Sequence, residues 1–382
     1  MLRWLFAITL FSLGNLTPIH AEVIGREGQG WLERENGQLI LHLKGSPREM
    51  GLQHGRLLKD HIQQNLKTLL EIKGNQALVD FGPLKLKPRT AIEAIIAIQR
   101  AHVPDWYLEE IAGLAEGAEV PEMDALVANF IPEMFHCSGF ALMNSATADG
   151  TLYHGRVLDY ATDWSLQDHA LVLVAEPEGG IPFVNVTYAG FVGCVTGMNV
   201  HNISIGEMGG GGLGHWHGVP MAVLMRQALQ TCETFDQTID LYRTSPRTCQ
   251  YFYVVADGKT NKATGMEASW DRFELVLPGV KHELLPEPVH DCALLSAGQR
   301  YQLLVERVKE QHGQITAESA LKLMDRPVAM KSNLHNVLFE PQTTRFWVSH
   351  AGSDGTPAAD RPYNAYQLSE LLSRTPDRKD AN

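Results

Sequence analysis

Phe135-His136-Cys137-Ser138-Gly139-Phe140, then Ala148-Asp149-Gly150, then Gly155-Arg156-Val157-Leu158-Asp159: these three fragments, in this order, decide how the chain is read. Apolar residues over 137–143 predict a strand, the Asp-Gly step a hairpin turn, and 151–159 the return strand. A cysteine at the head of the first strand then faces a return strand carrying Arg156 and Asp159 among Leu152, Tyr153, Val157 and Leu158. Charges in so apolar a setting cost free energy unless they are paired or used. A guanidinium near a thiol favours the thiolate, which is the nucleophile, and a carboxylate can hold a reacting amine in place. If the His136–Cys137 bond is cut, Cys137 also gains a free α-amine as its own base. The plainer readings are a buried structural cysteine and an ordinary Arg–Asp salt bridge at a strand end. Positions three apart do not share a face on a regular strand, so a joint role for Arg156 and Asp159 needs a bulge or a strand end.

Outward from this hairpin the period of the apolar residues changes. Before it, over 33–133, the pattern is mainly helical. One short strand, Leu39-Ile40-Leu41-His42-Leu43, leads into the helix-start signal Gly45-Ser46-Pro47. Met50, Leu57, Leu58, Ile62 and Leu66 then recur at helical spacing. Further helices are predicted over 90–101, 105–116 and 122–130. After the hairpin the period is two, with strands expected at 169–175, 182–188, 191–198 and 202–207. Helices at 220–230 and 235–244 come next, then a strand pair at 250–256 and 262–268. Helices at 299–311 and 317–324, strands at 334–339 and 344–349, and a helix at 363–372 complete the pattern. Strand runs alternating with helix pairs imply an α+β layered architecture.

Bulk properties exclude some functions. The chain has 382 residues, 44% of them hydrophobic and 20% charged, with a formal net charge of −12. That composition supports a sizeable core and argues against a nucleic-acid partner, which requires clustered Lys and Arg. Met1-Leu2-Arg3, the apolar run 4–13 and Ile19-His20-Ala21 together read as a signal peptide over 1–21. The apolar run falls short of the ~20 residues that cross a bilayer. An exported (periplasmic or secreted) protein without stable membrane insertion is therefore expected. The five cysteines, at 137, 194, 232, 249 and 292, leave at least one thiol unpaired; buried reduced cysteine is the expected state for most.

Three other stretches carry candidate chemistry. Gly209 to Gly212, with Leu213 and Gly214, formally contain G-x-G-x-x-G. His215, Trp216, His217 and Pro220 intervene before the next helix, and no strand-end acid follows at the usual distance, so no dinucleotide cofactor is implied. The stretch reads instead as a pocket-wall loop. The backbone N–H groups at Gly209 and Gly210 are candidate oxyanion donors, and Glu207 just before them is either a ligand for a substrate amine or a sheet-edge charge. His215 and His217, two residues apart with no third ligand nearby, do not make a metal site; Trp216 is expected at the pocket mouth. In Ser332-Asn333-Leu334-His335-Asn336, Asn333 and His335 are either turn residues or pocket contributors.

The combination resembles the N-terminal-nucleophile (Ntn) hydrolases of the C45 type, the isopenicillin N acyltransferase-like group. More distantly it resembles the choloylglycine hydrolases and acid ceramidase. Gly45-Ser46-Pro47-Arg48-Glu49-Met50-Gly51-Leu52-Gln53-His54-Gly55 matches the group's N-terminal glycine element. His136-Cys137-Ser138 with Asp149-Gly150 and Gly155-Arg156-Val157-Leu158-Asp159 matches its nucleophile hairpin. Gly197-Met198-Asn199 and Gly218-Val219-Pro220 with Arg226 resemble later elements. The resemblance implies a four-layer αββα sandwich with an N-terminal, mainly helical segment over 22–136 and a catalytic core over 137–382. It also implies cleavage before Cys137 and a small-molecule amide or acyl substrate attacked by the Cys137 thiol, with no cofactor. Arg156 and Asp159 would position the freed amine, and Arg300, in Ser296-Ala297-Gly298-Gln299-Arg300, matches a second catalytic arginine. Relatives carry an oxyanion-stabilising Asn shortly before that arginine. Here Leu295-Ser296-Ala297-Gly298 stands instead, leaving Ser296 or backbone amides for the task.

Two readings from other classes stand beside this one. A non-catalytic fold member binding an acylated ligand is motivated by the missing Asn. A papain-like peptidase is disfavoured because its cysteine opens a helix, whereas 137–143 reads as a strand.

Overall fold

The computed structural model describes residues 21–73, 79–81, 84–131, 137–160 and 162–376. Residues 1–20 of the expected signal peptide, and His136, lie outside them. Among the described residues no helix is long and apolar enough to cross a membrane.

Three antiparallel strands come first, β1 (Glu22–Glu27), β2 (Gly30–Glu35) and β3 (Gln38–Gly45), where the sequence predicts one. Their charged residues obscure the two-residue period. Glu33, for example, is buried, and it is reconciled with burial by His42 at 3.0 Å and Arg374 at 2.7 Å. Helices α1 (Pro47–Leu57) and α2 (Lys59–Leu66) follow, then a small hairpin of β4 (Val79–Phe81) and β5 (Leu84–Leu86). Helices α3 (Pro88–Gln99), α4 (Asp105–Ala118) and α5 (Glu122–Asn129) close this part. A capping box starts α1: Ser46 Oγ accepts from Glu49 N–H, and the Glu49 carboxylate accepts from Ser46 N–H at 2.8 Å. The glycine spacing noted in α1 has a packing cause. Gly51 and Gly55 lie against the backbone of α4, and Gly113 and Gly117 of α4 against that of α1. A Cβ at Gly117 would fall 2.6 Å from Leu52 O, so any side chain at these four positions would force the helices apart.

Next come β6 (Ser138–Asn144), β7 (Gly150–Asp159), β8 (Ala170–Pro177), β9 (Phe183–Tyr188), β10 (Thr196–Asn199) and β11 (Ile203–Gly211). Helices α6 (Met221–Thr231) and α7 (Phe235–Thr244) precede β12 (Gln250–Asp257), β13 (Lys262–Ser269), β14 (Phe273–Val276) and β15 (Cys292–Leu295). The chain ends with α8 (Gly298–Gln311), α9 (Ala317–Leu323), β16 (Asn333–Glu340), β17 (Arg345–His350), β18 (Asn364–Gln367) and α10 (Leu368–Ser373).

These strands build two large sheets, ordered β1-β2-β3-β8-β9-β10-β11-β12-β13-β14 and β15-β6-β7-β16-β17-β18. All pairings are antiparallel except β3 with β8, which run parallel from Leu39↔Leu171 to Gly45↔Pro177. Alternation along each strand sets the layers. Leu171 and Leu173 of β8 pack with helices α1 to α6, while Val172 and Val174 meet Val337, Phe339, Phe346 and Val348 of the other sheet. Helices α8 and α9 cover the far face of the six-stranded sheet. The result is the expected α+β sandwich of layers helix, sheet, sheet, helix.

Two expected elements change. The predicted strand 191–198 is reduced to β10, because side chains from the helical layer capture the backbone donors ahead of it. Gly190 N–H donates to His54 Nε2 at 3.1 Å and Val192 N–H to Asn129 Oδ1 at 2.7 Å. The helix predicted at 363–372 begins as β18, since β17 offers an unpaired edge that Asn364 to Gln367 fill from Val348 to Arg345.

Candidate active site

Cys137 stands immediately before β6 and is 3% exposed. In the β6–β7 hairpin Ser138 lies opposite Val157 and Gly139 opposite Arg156. One further residue along that register brings Cys137 opposite Leu158, on the face of β7 that meets the ten-stranded sheet. Arg156 projects from this inner face and is fully buried. Its Nη2 lies 3.3 Å from Glu207 Oε2, and its Nη1 donates to Val157 O. Glu207 is also fully buried and accepts from the Gly209 N–H as well. Glycine makes this approach possible: a Cβ at Gly206 of β11 would lie 3.1 Å from Arg156 Cδ, and one at Gly139 would collide with Met208. An irregularity between Glu207 and Gly210 in the β11–β12 pairing accompanies the inward turn of the carboxylate.

Asp159 is on the other side of the sheet. Its carboxylate accepts from Met330 N–H at 2.9 Å and pairs with Arg300 in the first turn of α8. Arg300 Nη2 also donates to Ser138 Oγ at 2.6 Å, and Ser138 Oγ lies 2.7 Å from Ser296 Oγ. Burial pushes the Asp159 carboxyl up from its ordinary value, while Arg300 and the Met330 N–H pull it back. The hairpin charges thus divide between two clusters. Arg156 and Glu207 occupy the inner face, and Asp159, Arg300, Ser138 and Ser296 the outer one, with Cys137 at the strand end next to both.

The remaining candidates fare differently. Gly209 has its N–H on the Glu207 carboxylate, and Gly210 is a ladder residue opposite Tyr251; the glycine run is the end of β11 rather than a free loop. Asn333 is engaged in the framework. Its Nδ2 donates to Leu158 O (3.0 Å), His335 O (3.3 Å) and Asn336 Oδ1 (2.9 Å), while its Oδ1 accepts from Ala359 N–H. These bonds bridge the register shift between Asn333 and His335. His335, by contrast, reaches between the sheets to Tyr188 and Thr196.

Next to this corner lies a pocket of about 940 Å³, counted to its open mouth. Phe130, Leu158, Tyr188, Trp216, Met221 and Tyr251 are among its walls, and among the described residues none that lines it is charged. Cys137 belongs to the same apolar cluster as these walls. Trp216 lines the pocket as expected. Arg226 instead braces the structure nearby: it pairs with Glu110 at 2.9 and 3.2 Å, bonds Val192 O, and lies over the Phe183 ring. Sequence reasoning missed most of the walls. Phe130, Phe191 and Met221 are apolar residues that no motif distinguishes from ordinary core.

Metal ligation has one geometric candidate among the described residues, Glu267, Glu274 and His282. Leu284 N–H donates to His282 Nδ1 at 3.2 Å, which puts the proton of the neutral ring on Nε2, the atom facing the carboxylates. Arg272 pairs with Glu274 and lies 3.8 Å from Glu267, so the trio reads as an ion-pair network. His215 is stacked on Trp270 with ring centroids 3.6 Å apart.

Comparison with known proteins agrees with the resemblance drawn from the motifs. The family model described as acyl-coenzyme A:6-aminopenicillanic acid acyl-transferase matches residues 145–272. Protein dcd1A of Dictyostelium discoideum is 27% identical over 259 residues, covering 61% of this chain and 58% of its own length. The N-acylethanolamine-hydrolyzing acid amidase of Mus musculus is 25% identical over 191 residues, covering 47% of this chain and 51% of its own. The chain therefore spans little more than half the length of these relatives. Among solved structures, a Caenorhabditis elegans N-acylethanolamine-hydrolyzing acid amidase ortholog covers 54% of this chain and 93% of its own, with 17% identity and a TM-score of 0.43. The resemblance to the C45-type Ntn hydrolases is borne out.

Proposed function

We propose that this protein is an exported Ntn amidohydrolase or acyltransferase that acts on acyl amides, with Cys137 as its nucleophile. The observation that carries the reading is the position of Cys137. It stands at the head of β6, in one apolar cluster with the walls of a pocket whose described lining carries no charge, beside a strand whose Arg156 is buried against Glu207. A buried cation near a thiol favours the thiolate. The described walls, which carry no charge, suit a neutral acyl group.

Loss of the His136–Cys137 peptide bond frees an α-amine one residue from the Ser138–Arg300–Asp159 cluster. That amine accepts the thiol proton as sulfur attacks the substrate carbonyl carbon. The tetrahedral intermediate collapses with cleavage of the C–N bond, and the leaving amine takes the proton from the α-ammonium. Water or a second amine then attacks the thioester, restoring the thiol and releasing acid or a new amide. Arg156 stabilises the thiolate, and the outer cluster orients the amine.

Mass and N-terminal sequence of the purified protein test processing, and anilide hydrolysis tests turnover. The reading expects a chain beginning at Cys137, and a loss of at least ~10³-fold in turnover for Cys137→Ala, in line with removal of a nucleophile. An intact chain that still hydrolyses amides after Cys137→Ala would overturn it. The binding-protein alternative draws on one observation: Gly209 N–H, a candidate oxyanion donor, is already held by Glu207. It predicts an unprocessed chain whose Cys137 does not react with iodoacetamide.

A further inference from the structure

Between β9 and β10 the chain runs through 189–195 without joining a strand, yet Phe191, Gly193 and Val195 of this stretch line the pocket. Buried backbone outside a ladder needs other hydrogen-bond partners, and here side chains supply them. Asn65 of α2 donates to Ala189 O at 2.9 Å, and Asn185 of β9 donates to Gly193 O at 3.0 Å. His54 of α1 accepts from Gly190 N–H at 3.1 Å, and Arg226 of α6 donates to Val192 O at 3.1 Å. Asn129, the last residue of α5, holds two groups at once. Its Nδ2 donates to Gly190 O at 2.8 Å, and its Oδ1 accepts from Val192 N–H at 2.7 Å. Its second Nδ2 proton goes to Ala125 O at 2.9 Å, and Tyr107 Oη donates to its Oδ1 at 3.4 Å. The whole capacity of the amide is thus spent on fixing this wall and its own helix end.

Two observations set these clamps apart from ordinary core packing. His54, Asn65 and Asn185 are buried, and among the described residues no protein group meets their second polar atoms, His54 Nδ1, Asn65 Oδ1 and Asn185 Oδ1. Apolar side chains would avoid that cost, so each is explained by its one bond to the wall. Asn129, moreover, lines the pocket itself. The residue that holds Gly190 and Val192 is therefore part of the surface a ligand meets. The wall also has little room to shift: a Cβ at Gly193 would lie 2.7 Å from Ala222 Cβ and 3.0 Å from Tyr107 Oη.

We infer that Asn129 is a positioning residue that fixes the 190–193 wall, so that the pocket selects acyl groups by shape instead of adapting to them. The inference rests on the reading of this pocket as the acyl site. A wall held by bonds made before binding discriminates by fit, because a ligand of the wrong length gains contact only by breaking them.

The test follows a series of straight-chain acyl anilides, each two carbons longer than the last, together with hydrogen exchange of the peptide spanning 189–195. Wild-type protein should show one preferred length and slow exchange of this peptide. Asn129→Ala should raise KM for the preferred length by about tenfold, keep kcat within about threefold, and flatten the preference over its neighbours. Exchange of 189–195 should quicken by about tenfold or more, with the β6–β7 hairpin unchanged. Asn129→Asp, which still accepts from Val192 N–H, should keep more of the preference. If Asn129→Ala does not fold, Asn65→Leu carries the same test, with a smaller change in the same direction. Unchanged exchange, an equal loss at every length, or a fall in kcat with KM unaltered would overturn the inference; the last would place Asn129 in the chemistry. If the wild type hydrolyses no anilide, the free acids are titrated calorimetrically against the same protein. A length preference flattened by Asn129→Ala then keeps the wall's role while the reaction fails. Absence of binding or of a length preference overturns the inference itself.

Discussion

Under most of strands β16 to β18, away from His335 and His350, the space between the two sheets is apolar: Ile40, Val172, Val174, Val184, Val186 and Met198 meet Val337, Phe339, Phe346 and Val348. One strand over, beneath β7, the same two sheets bury His154 against Ser204 at 2.8 Å and Arg156 against Glu207 at 3.3 Å. The apolar flank follows from ordinary alternation and gains from every methyl removed from water. The polar seam does not. An ion pair between sheets is commonly no better than a hydrophobic pair of similar volume. Its place beside Cys137 fits the proposed chemistry better than a stabilising role.

Removing one partner of the seam should have the largest effect. Glu207→Leu leaves Arg156 buried without its carboxylate and should cost about 3–5 kcal/mol in urea unfolding. The double variant Arg156→Met with Glu207→Leu should recover most of that stability, or exceed the wild type, while turnover is lost. A double variant as unstable as the single one would mean that the ion pair serves the fold, and the contrast with the apolar flank would fail.

Acid should also probe the seam. Burial and the Arg156 charge hold His154 at a pKa of about 3, against an ordinary value of 6.5. Between those values the unfolded chain binds the proton and the folded one does not, so stability is full above pH 6.5 and falls as pH drops toward 3. His54 and His350 are likewise held at about 3 by burial. His154→Gln should reduce the slope of unfolding free energy against pH in this window by about 1.4 kcal/mol per pH unit. An unchanged slope would show that His154 is not neutral in the fold. Ile40→Val, in the apolar flank, should have the smallest effect, about 1 kcal/mol, with the pH slope unaltered.

Much of the architecture is legible in the sequence because its causes are local. The Asp149-Gly150 step gives the β6–β7 hairpin, the Ser46–Glu49 box gives the start of α1, and periods near 3.6 and 2 give most helices and strands. β1 and β2 escape because their charges are neutralised by residues far along the chain, and β18 because only the free edge of β17 makes it a strand. Within the site, the sequence points to Cys137, Arg156, Asp159 and Glu207 as charged or nucleophilic residues in telling places, and the family resemblance adds Arg300. It does not tell which of them meet. Period two already warned that Arg156 and Asp159 face apart, and the fold gives each its own partner.

The sequence by itself determined most of the elements, the hairpin and the candidate reactive residues, since turn chemistry and side-chain period act between near neighbours. The tertiary structure alone decided that Arg156 meets Glu207 across 51 positions, Asp159 meets Arg300 across 141, and Tyr188 meets His335 across 147. Such pairs form only when two sheets and a helix pack. Their energies depend on how fully packing removes water from them, and no local pattern encodes that.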